Sequence, residues 1–160
     1  DIKMPQQHPV DQLLISSLSS MSLYARALIR DVDTAEGIVQ EACRRILERR
    51  DQLLTVDVRS YAMRVVQNLA NDYYNERQHD DIDDVDIEGS ENPEDDASRL
   101  AMFDVIGKLD RACRELLTLV GMGYKQREIS ILLRRVIGTI GSSISRCREQ
   151  LERLAEVKHG

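Results

Sequence analysis

The sequence predicts an all-α protein with two small helical domains joined by an acidic, flexible linker. Apolar residues recur at i, i+3, i+4 and i+7 in several segments, which is the spacing of helices that bury one side. Aromatic residues make up only 4% of the 160 residues and Trp is absent. A run of acids in the middle separates the helical patterns into the ranges 1–78 and 98–160. A chain of this length allows two small domains.

The first predicted helix runs from Val10 to about Arg30. Residues 1–8 before it are polar and are expected to be frayed. The sequence Asp-Val-Asp at 31–33 ends the pattern. The predicted buried stripe consists of Val10, Leu13, Leu14, Leu18, Met21, Ala25, Leu28 and Ile29.

A second helix is predicted from Asp33 to Leu47, with Asp33 as N-cap and Glu36 completing an acidic variant of the capping box. The polar face has acids toward its start and bases toward its end, which suits the helix dipole of a solvated surface. That face consists of Glu36, Gln40, Glu41, Arg44, Arg45 and Glu48. The buried stripe consists of Ala35, Ile38, Val39, Ala42, Cys43, Ile46 and Leu47.

Residues 48–57 have no clean period and are predicted to form a loop. Leu53 and Leu54 in this loop could lie exposed or in the core. Asp57 is the predicted cap of a third helix, because helical spacing then continues for four turns. Its apolar positions are Val58, Tyr61, Ala62, Val65, Val66, Leu69, Ala70 and Tyr73.

The net charge of -6 arises from one segment. Residues 79–97 contain ten acids and no Lys or Arg, and without them 22 basic residues face 18 acids. Residues 99–160 carry twelve Lys and Arg against seven acids. The acidic segment is therefore predicted to be a self-repelling linker, and the basic excess belongs to the C-terminal part.

From Ser98 the helical pattern resumes. A short helix is predicted over Leu100, Ala101, Phe103, Val105, Ile106 and Leu109. The next, RACRELLTLVGMG, ends at Gly121 or Gly123, both of which suit a position after the C-cap.

The last two helices form a predicted pair. The first spans Lys125 to Leu133 with Ile129, Leu132 and Leu133 inward, and the second begins near Gly138. The buried stripe of the second consists of Ile140, Ile144, Cys147, Leu151 and Leu154. The residues predicted to face outward are Thr139, Ser142, Ser143, Arg146 and Arg148.

No catalytic or metal-binding pattern is found. The three cysteines are widely separated, with no CxxC pair, so neither a disulfide framework nor a structural zinc site is expected, and Cys43 is assigned to the core. Walker, GxSxG and HExxH motifs are absent, so we predict no enzyme and no cofactor. No apolar run is long enough for a membrane span and none resembles a signal peptide, so we predict a cytoplasmic protein without membrane insertion.

The second helix, TAEGIVQEACRRIL, resembles the AEDLVQE helix of bacterial sigma-70-type initiation factors, in particular the small two-domain extracytoplasmic-function (ECF) sigma factors. The resemblance implies that its polar face docks on the clamp coiled coil of core RNA polymerase through Glu36, Gln40 and Glu41. Gly37 departs from the family, which usually has an acid there, and lowers helix propensity by roughly 1 kcal/mol.

The third helix, VRSYAMRVVQNLANDYYNER, resembles PRAWLYRIARNLALDLLRRR, which reads the minus-ten promoter element in that family. Asn pairs with base edges and Tyr stacks on unpaired bases, so the residue types suit melted DNA. Where the family ends this helix in a basic cluster, this chain has Tyr73 to Arg77. The implied promoter contacts are Arg59, Tyr61, Arg64 and Asn68, with Arg49 and Arg50 beside a flipped base.

The C-terminal pair resembles the family's helix-turn-helix GYSYKEIAEILGIPVGTVKSRLSRAREKL, which reads the minus-35 element with the second helix in the major groove. Arg134 replaces the turn Gly, and Gly141 and Ser143 replace a Lys and an Arg. A basic hairpin that only packs on its neighbour is the alternative. The implied DNA contacts are Arg127, Arg134, Arg135, Thr139, Ser142, Ser143, Arg146 and Arg148.

Taken together, the resemblance implies a sigma region 2-like domain over 1–78, an acidic linker over 79–97 that enters the RNA channel of polymerase, and a sigma region 4-like domain over 98–160. The implied function is that of an ECF sigma factor with core RNA polymerase, promoter DNA and an anti-sigma factor as partners. The alternative is a sigma-like interaction module that captures an anti-sigma factor without binding promoters. A stand-alone helix-turn-helix repressor would not need the docking face.

Overall fold

The computed structural model describes residues 7–77 and 105–159, with side chains up to residue 156. The N-terminal group comprises α1 (Pro9–Leu28), α2 (Val32–Glu48), a 3-10 helix (Arg50–Leu53) and α3 (Val58–Arg77). The C-terminal group comprises α4 (Arg111–Gly121), α5 (Gln126–Leu133) and α6 (Ile137–His159). No strand occurs in these two ranges. The predicted all-α architecture is confirmed.

Two sequence predictions lie mostly outside the described ranges. The acidic segment 79–97 is one of them. The other is the short helix from Leu100 to Leu109, of which residues 105–109 are described and residues 105–107 are helical. Val105 and Leu109 are buried, as the pattern predicted.

Helix α1 begins at Pro9, which has no backbone N–H to satisfy, and the His8 ring accepts a hydrogen bond from the Val10 N–H at 3.2 Å. The predicted apolar stripe is buried except at Leu13 and Leu18, whose side chains are 48% and 38% exposed. Ser17 is buried instead, because its hydroxyl donates to the Leu13 carbonyl at 2.7 Å. The prediction for the two leucines is therefore wrong.

Helix α2 begins at Val32 with Asp31 as N-cap, so the assignment of the cap to Asp33 is wrong. Asp31 is extended, and its carbonyl accepts the Ala35 N–H at 2.9 Å, which is the first helical bond. Its carboxylate accepts the Thr34 hydroxyl at 2.5 Å. Asp33 lies in the first turn, where a negative charge suits the positive end of the dipole.

The predicted apolar face of α2 is buried at its first four positions and at Ile46. Cys43 is half-buried against the core, and Leu47 is 43% exposed. The two leucines of the loop after α2 differ in burial, because Leu53 is 6% exposed and Leu54 is 57% exposed. One of them therefore belongs to the core and the other to the surface.

Asp57 caps α3, as predicted. The Asp57 carboxylate accepts hydrogen bonds from the Ser60 backbone N–H at 3.4 Å and from the Ser60 hydroxyl at 2.9 Å. Helix α4 has an equivalent cap in Asp110, which accepts the Cys113 N–H at 2.8 Å.

The end of α4 is a Schellman motif. The Tyr124 N–H donates to the Leu119 carbonyl at 3.1 Å and the Gly123 N–H to the Val120 carbonyl at 3.0 Å. Gly123 has a φ of 90°. Of the two glycines suggested by the sequence, Gly123 therefore terminates the helix.

The turn between α5 and α6 depends on Arg134, which has φ 56° and ψ 45°. Its N–H and that of Arg135 both reach the Ser130 carbonyl, and the Ser130 hydroxyl donates to the Arg135 carbonyl at 2.5 Å. Arg134 therefore takes the left-handed conformation of the glycine that it replaces, at a cost of roughly 1 kcal/mol.

Helix α1 is central, because it packs on α2, α3 and α4, while α6 packs on α4 and α5. The buried residues of both groups form one continuous apolar cluster, from Val10 to Cys147. The two groups are distinct in sequence but packed together in space.

Candidate functional site

The outer face of α2 is open to solvent. Glu36 and Gln40, the first two predicted docking residues, are exposed. Gly37 between them is also exposed, and a Cβ built on it would have no atom within 4 Å. The acid that the family usually has at this position would therefore project into solvent here.

Glu41, the third predicted docking residue, is half-buried and engaged within the helix. Its carboxylate accepts both Arg44 Nε at 2.9 Å and Arg44 Nη2 at 2.6 Å, and it accepts Arg45 Nε at 3.0 Å. The hydrogen bonds from Arg44, followed by those from Arg45, lower the pKa of Glu41 to about 2. Glu41 is therefore ionised at any physiological pH, and two neighbouring cations balance its charge.

On α3, Asn68 is exposed and Tyr61 is half-buried. The two arginines predicted to contact DNA instead contact the C-terminal group. The Arg59 guanidinium lies 4.9 Å from the centre of the Tyr124 ring, and Arg64 Nη2 donates to the Ile131 carbonyl at 3.1 Å. Arg59 stays exposed and Arg64 is half-buried, so these contacts engage the two arginines without covering the predicted minus-ten surface.

Arg49 and Arg50 are both exposed beside the 3-10 helix. Arg50 Nη1 forms an ion pair with the Asp11 carboxylate at 3.1 Å, and His8 Nε2 lies 3.1 Å from the Asp51 carboxylate. These contacts attach the loop to the start of α1.

The helix-turn-helix presents most of its predicted DNA contacts to solvent. The exposed members are Arg127, Arg134, Arg135, Thr139, Ser142, Arg146 and Arg148. They lie on α5, in the turn and on α6. Exposed arginines suit the phosphates of a nucleic acid.

Ser143 is an exception, because it is 8% exposed and its predicted outward orientation is wrong. It lies three residues after Ile140 and four before Cys147, which are both buried, so the helical period itself places it on the inner side. Gly141 is half-buried, and a Cβ there would lie 3.2 Å from Gln126 Oε1 of α5. The two positions where the family has basic residues therefore face the molecule.

Polar contacts between the groups run along α1 and α4. The buried Arg114 donates from Nε to the Ala27 carbonyl at 3.0 Å and from Nη1 to the Leu109 carbonyl at 2.7 Å. The Tyr24 hydroxyl donates to Glu115 Oε2 at 3.0 Å. Burial, followed by the nearby Glu115 charge, raises the pKa of Tyr24, and burial raises the pKa of Glu115.

A second set of contacts joins α4 to the end of α3. Arg111 Nη2 donates to Asn71 Oδ1 at 2.6 Å, and its guanidinium lies 4.0 Å from the centre of the Tyr74 ring. The Tyr74 hydroxyl donates to the Leu28 carbonyl at 2.6 Å. The sequence did not predict the contacts of Asn71, Tyr74 and Arg111. The one indication of them was that Tyr73 to Arg77 stand where the resembling family has basic residues.

The structure joins Cys113 of α4 to Cys147 of α6 in a disulfide, so the expectation of no disulfide is wrong. The two positions are 34 residues apart in sequence, but their Cα atoms are 5.3 Å apart because α4 packs on α6. Cys43 is a free thiol, and burial raises its pKa. Among the described residues, no cluster of His, Cys, Asp and Glu could hold a metal ion.

In the two described ranges, no helix has the length and apolarity needed to cross a membrane. No protein-family model matches the sequence, and no curated protein matches it.

Two solved structures are similar to this chain. The sigma factor RpoE in complex with the anti-sigma factor NepR, from Bartonella quintana, is 22% identical with a TM-score of 0.75, and the match covers 92% of this chain and 96% of that chain. CnrH in complex with the cytosolic domain of CnrY is also 22% identical, with a TM-score of 0.64, covering 96% and 91%. Since both matches cover nearly the whole of each chain, this protein has the two-domain helical fold of the ECF sigma factors.

Proposed function

We propose that this protein is an ECF-type sigma factor, which binds core RNA polymerase and directs promoter recognition and DNA melting in the cytoplasm. The observation that carries the proposal is the open polar face of α2 on a sigma-factor fold, where Glu36 and Gln40 are exposed to solvent. A sigma factor of this kind catalyses no reaction itself. The protein would supply binding contacts, and polymerase would catalyse RNA synthesis.

The promoter-reading surfaces would lie on the other two elements. Asn68 of α3 is exposed and has a side chain that can pair with a base edge. The helix-turn-helix offers the exposed Arg127, Arg146 and Arg148 to phosphates, with the exposed Thr139 and Ser142 at the start of α6. Arg59 and Arg64 would join the minus-ten surface once their contacts to the C-terminal group are released.

The test is capture of core RNA polymerase by the full chain. The double variant Glu36→Ala with Gln40→Ala should weaken capture at least ten-fold, because two exposed contacts at the centre of an interface are lost. The matched control is Gln12→Ala with Glu152→Ala, which removes the same side chains from exposed positions of α1 and α6. Equal capture by both double variants would contradict docking through α2.

A second candidate is an interaction module that binds an anti-sigma factor without reading promoters. Two observations favour it. Both similar structures are complexes, one of them with an anti-sigma factor. At positions 141 and 143 of α6, where the family has basic residues, this chain has Gly and a buried Ser. Genome-wide run-off transcription with core polymerase separates the two candidates. Transcripts from discrete promoters support the active factor, whereas polymerase binding without any transcript supports the module. We propose an anti-sigma factor as a partner in both cases.

A further inference from the structure

Two buried cysteines face each other inside the C-terminal group. Cys113 lies in the first turn of α4 and Cys147 lies in α6. Their Cα atoms are 5.3 Å apart, and the structure joins the two sulfurs in a disulfide. The packing of α4 on α6 sets this separation, so the reduced chain also keeps the two thiols within reach of each other. We call these two residues the Cys113–Cys147 pair.

A third side chain provides a contact for the reduced form of the pair. Gln150 Oε1 of α6 lies 3.5 Å from Cys113 Sγ. In the disulfide this sulfur has no proton to donate, whereas the thiol of the reduced chain can donate to that oxygen. Each redox state therefore has its own stabilising interaction, which is the S–S bond in one and the thiol–amide hydrogen bond in the other.

The pair is separated from solvent by little more than this side chain. Gln150 is half-buried, so part of it reaches the surface while its oxygen lies against the sulfur. A small thiol or disulfide in solution can therefore reach the pair through a local opening, without unfolding of the whole chain.

The pair is a feature of this chain rather than of the motif that it resembles. The helix-turn-helix sequence of the resembling family, aligned on α6, has Ala at position 147 and Lys at position 150, where this chain has Cys and Gln. Among the described residues, no group of His, Cys, Asp and Glu could hold a metal ion, so the two thiols are not part of a zinc site there.

We propose that the Cys113–Cys147 pair is a reversible dithiol–disulfide switch, oxidised by small-molecule disulfides such as glutathione disulfide and reduced by thiols such as glutathione. The proposal rests on the proposed function for its compartment, since disulfides in a reducing cytoplasm are usually transient or redox-sensing. In the oxidation, one cysteine thiolate attacks glutathione disulfide and releases one glutathione. The second cysteine then attacks the mixed disulfide and releases another, so the two protons and two electrons of the pair end on two molecules of glutathione.

Oxidation acts on the helix-turn-helix through α6. The S–S bond closes a segment of 34 residues that contains the whole of α5, which restricts the unfolded chain and stabilises the folded motif. Arg146 and Arg148, two of the proposed phosphate contacts, are exposed on either side of Cys147. Because these arginines need a folded α6 to be presented together, the oxidised chain should bind promoter DNA more tightly than the reduced chain.

The first test follows the redox state of the full wild-type chain in buffers of varied glutathione to glutathione disulfide ratio. Acid quenching, alkylation and peptide mass spectrometry report the pair separately from Cys43. We expect the disulfide to form and to be reduced reversibly in the native chain. A disulfide that glutathione reduces only after urea is added, or thiols that end as mixed glutathione disulfides, would overturn the proposal.

The variant Gln150→Ala tests the contact of the reduced form. Loss of the hydrogen bond from the Cys113 thiol should raise the ratio of disulfide to dithiol about three-fold at a fixed glutathione buffer. Gln12→Ala is the matched control, since it removes the same side chain from an exposed position of α1, and it should leave the ratio unchanged. Equal ratios in the two variants would contradict a site with a contact for each redox state.

Hydrogen exchange measures the consequence for the fold. Amides of α5 and α6 should exchange at least ten-fold more slowly in the oxidised wild type than in the reduced wild type. Cys147→Ala has the residue of the resembling family at this position and should exchange at the same rate in both buffers. Equal exchange in the two forms of the wild type would show that the bond does not stabilise the motif, and would overturn the switch.

Run-off transcription with core polymerase on genomic fragments then tests the link to the proposed function, with Cys147→Ala as the control for effects of the buffers on polymerase. Oxidation should raise transcription by the wild type about three-fold and leave that by Cys147→Ala unchanged. Equal transcription by both forms of the wild type would overturn the link to promoter binding.

The switch and the sigma function fail by different results. If the pair interconverts and slows exchange but neither form transcribes, the switch stands and the proposed sigma function fails. If the wild type transcribes and its pair does not interconvert, the sigma function stands and the switch is wrong.

Discussion

The outer face of α2 and the proposed DNA-binding face of α3 look alike in sequence but differ in the structure. Both carry charged residues off an apolar stripe. Glu36 and Gln40 on α2 are exposed to solvent, whereas Arg59 and Arg64 on α3 contact Tyr124 and Ile131 of the C-terminal group. Periodicity shows that a residue lies outside its own helix's core, but it does not show whether a distant segment covers it.

The difference also separates two steps of the proposed function. A polymerase-docking face that is always open would let the protein bind core enzyme in its closed form. On α3, by contrast, Arg59 and Arg64 would have to exchange their contacts with the C-terminal group for contacts with DNA. Changes in the C-terminal group, on the open face of α2 and at the junction between the groups test this comparison, with effects expected to decrease in that order.

The largest effect is expected from the disulfide, which links α4, the helix that carries Arg111, to α6. Closing a chain segment of 34 residues stabilises a protein by about 3 to 4 kcal/mol in the loop-entropy account. Dithiothreitol should therefore lower the urea midpoint of the C-terminal group. In a reducing compartment the two positions would be buried thiols.

The control is Cys43→Ala, which removes the only free thiol of the described chain and should leave the response to dithiothreitol intact. If reduction leaves the unfolding midpoint of the wild type unchanged, then the bond does not contribute to stability in solution.

A smaller effect is expected on the open face. Gly37 is in the interior of α2 and a Cβ there meets nothing, so Gly37→Ala should stabilise the protein by about 1 kcal/mol. Gly141→Ala is the comparison, since the same helical gain on α6 is offset by contact with Gln126 Oε1 at 3.2 Å. Thermal unfolding should separate the two variants, and a loss of stability in Gly37→Ala would show that this face is not open.

The smallest effect is expected at the junction, where burial raises the pKa of Glu115. The stability that depends on this carboxyl is fully present below its unfolded pKa of about 4.5 and is lost as the pH rises through the folded pKa. Glu115→Gln keeps an acceptor for Tyr24 without the charge. It should be more stable than the wild type near pH 7, and the difference should vanish below pH 4.5.

Urea unfolding at several pH values measures this difference, with Glu152→Gln as an exposed control on α6. Tyr24, Arg111 and Arg135 are the titratable groups that act on Glu115. A pH dependence that is the same in the wild type and in Glu115→Gln would assign the titration to another group.

Much of the fold could be read from the sequence, because each helix carries its own signals. Asp57 and Gly123 mark a start and an end as expected, and Arg134 has the glycine-type conformation that its place in the turn required. The wrong predictions concern neighbouring residues that could each take the same position in a helix. Asp31 caps α2 in place of Asp33, and Ser17 takes a buried position that was assigned to a leucine.

The candidate surfaces were predictable to a lesser degree. The exposure of Glu36, Gln40 and Asn68 follows from helical spacing. The burial of Ser143 follows from it too, although the resemblance to the family implied an exposed position. The roles of these residues remain predictions that the experiments above address.

The sequence by itself determined the helices, their caps and the division of the chain into two groups around an acidic segment, since these depend on interactions between residues close in the chain. Tertiary structure alone decided that the groups share one core, that Cys113 meets Cys147 and that Arg111 reaches Asn71 and Tyr74. Such contacts join residues 34 to 40 positions apart, and no local pattern encodes them, because they depend on which faces remain apolar once every helix has formed.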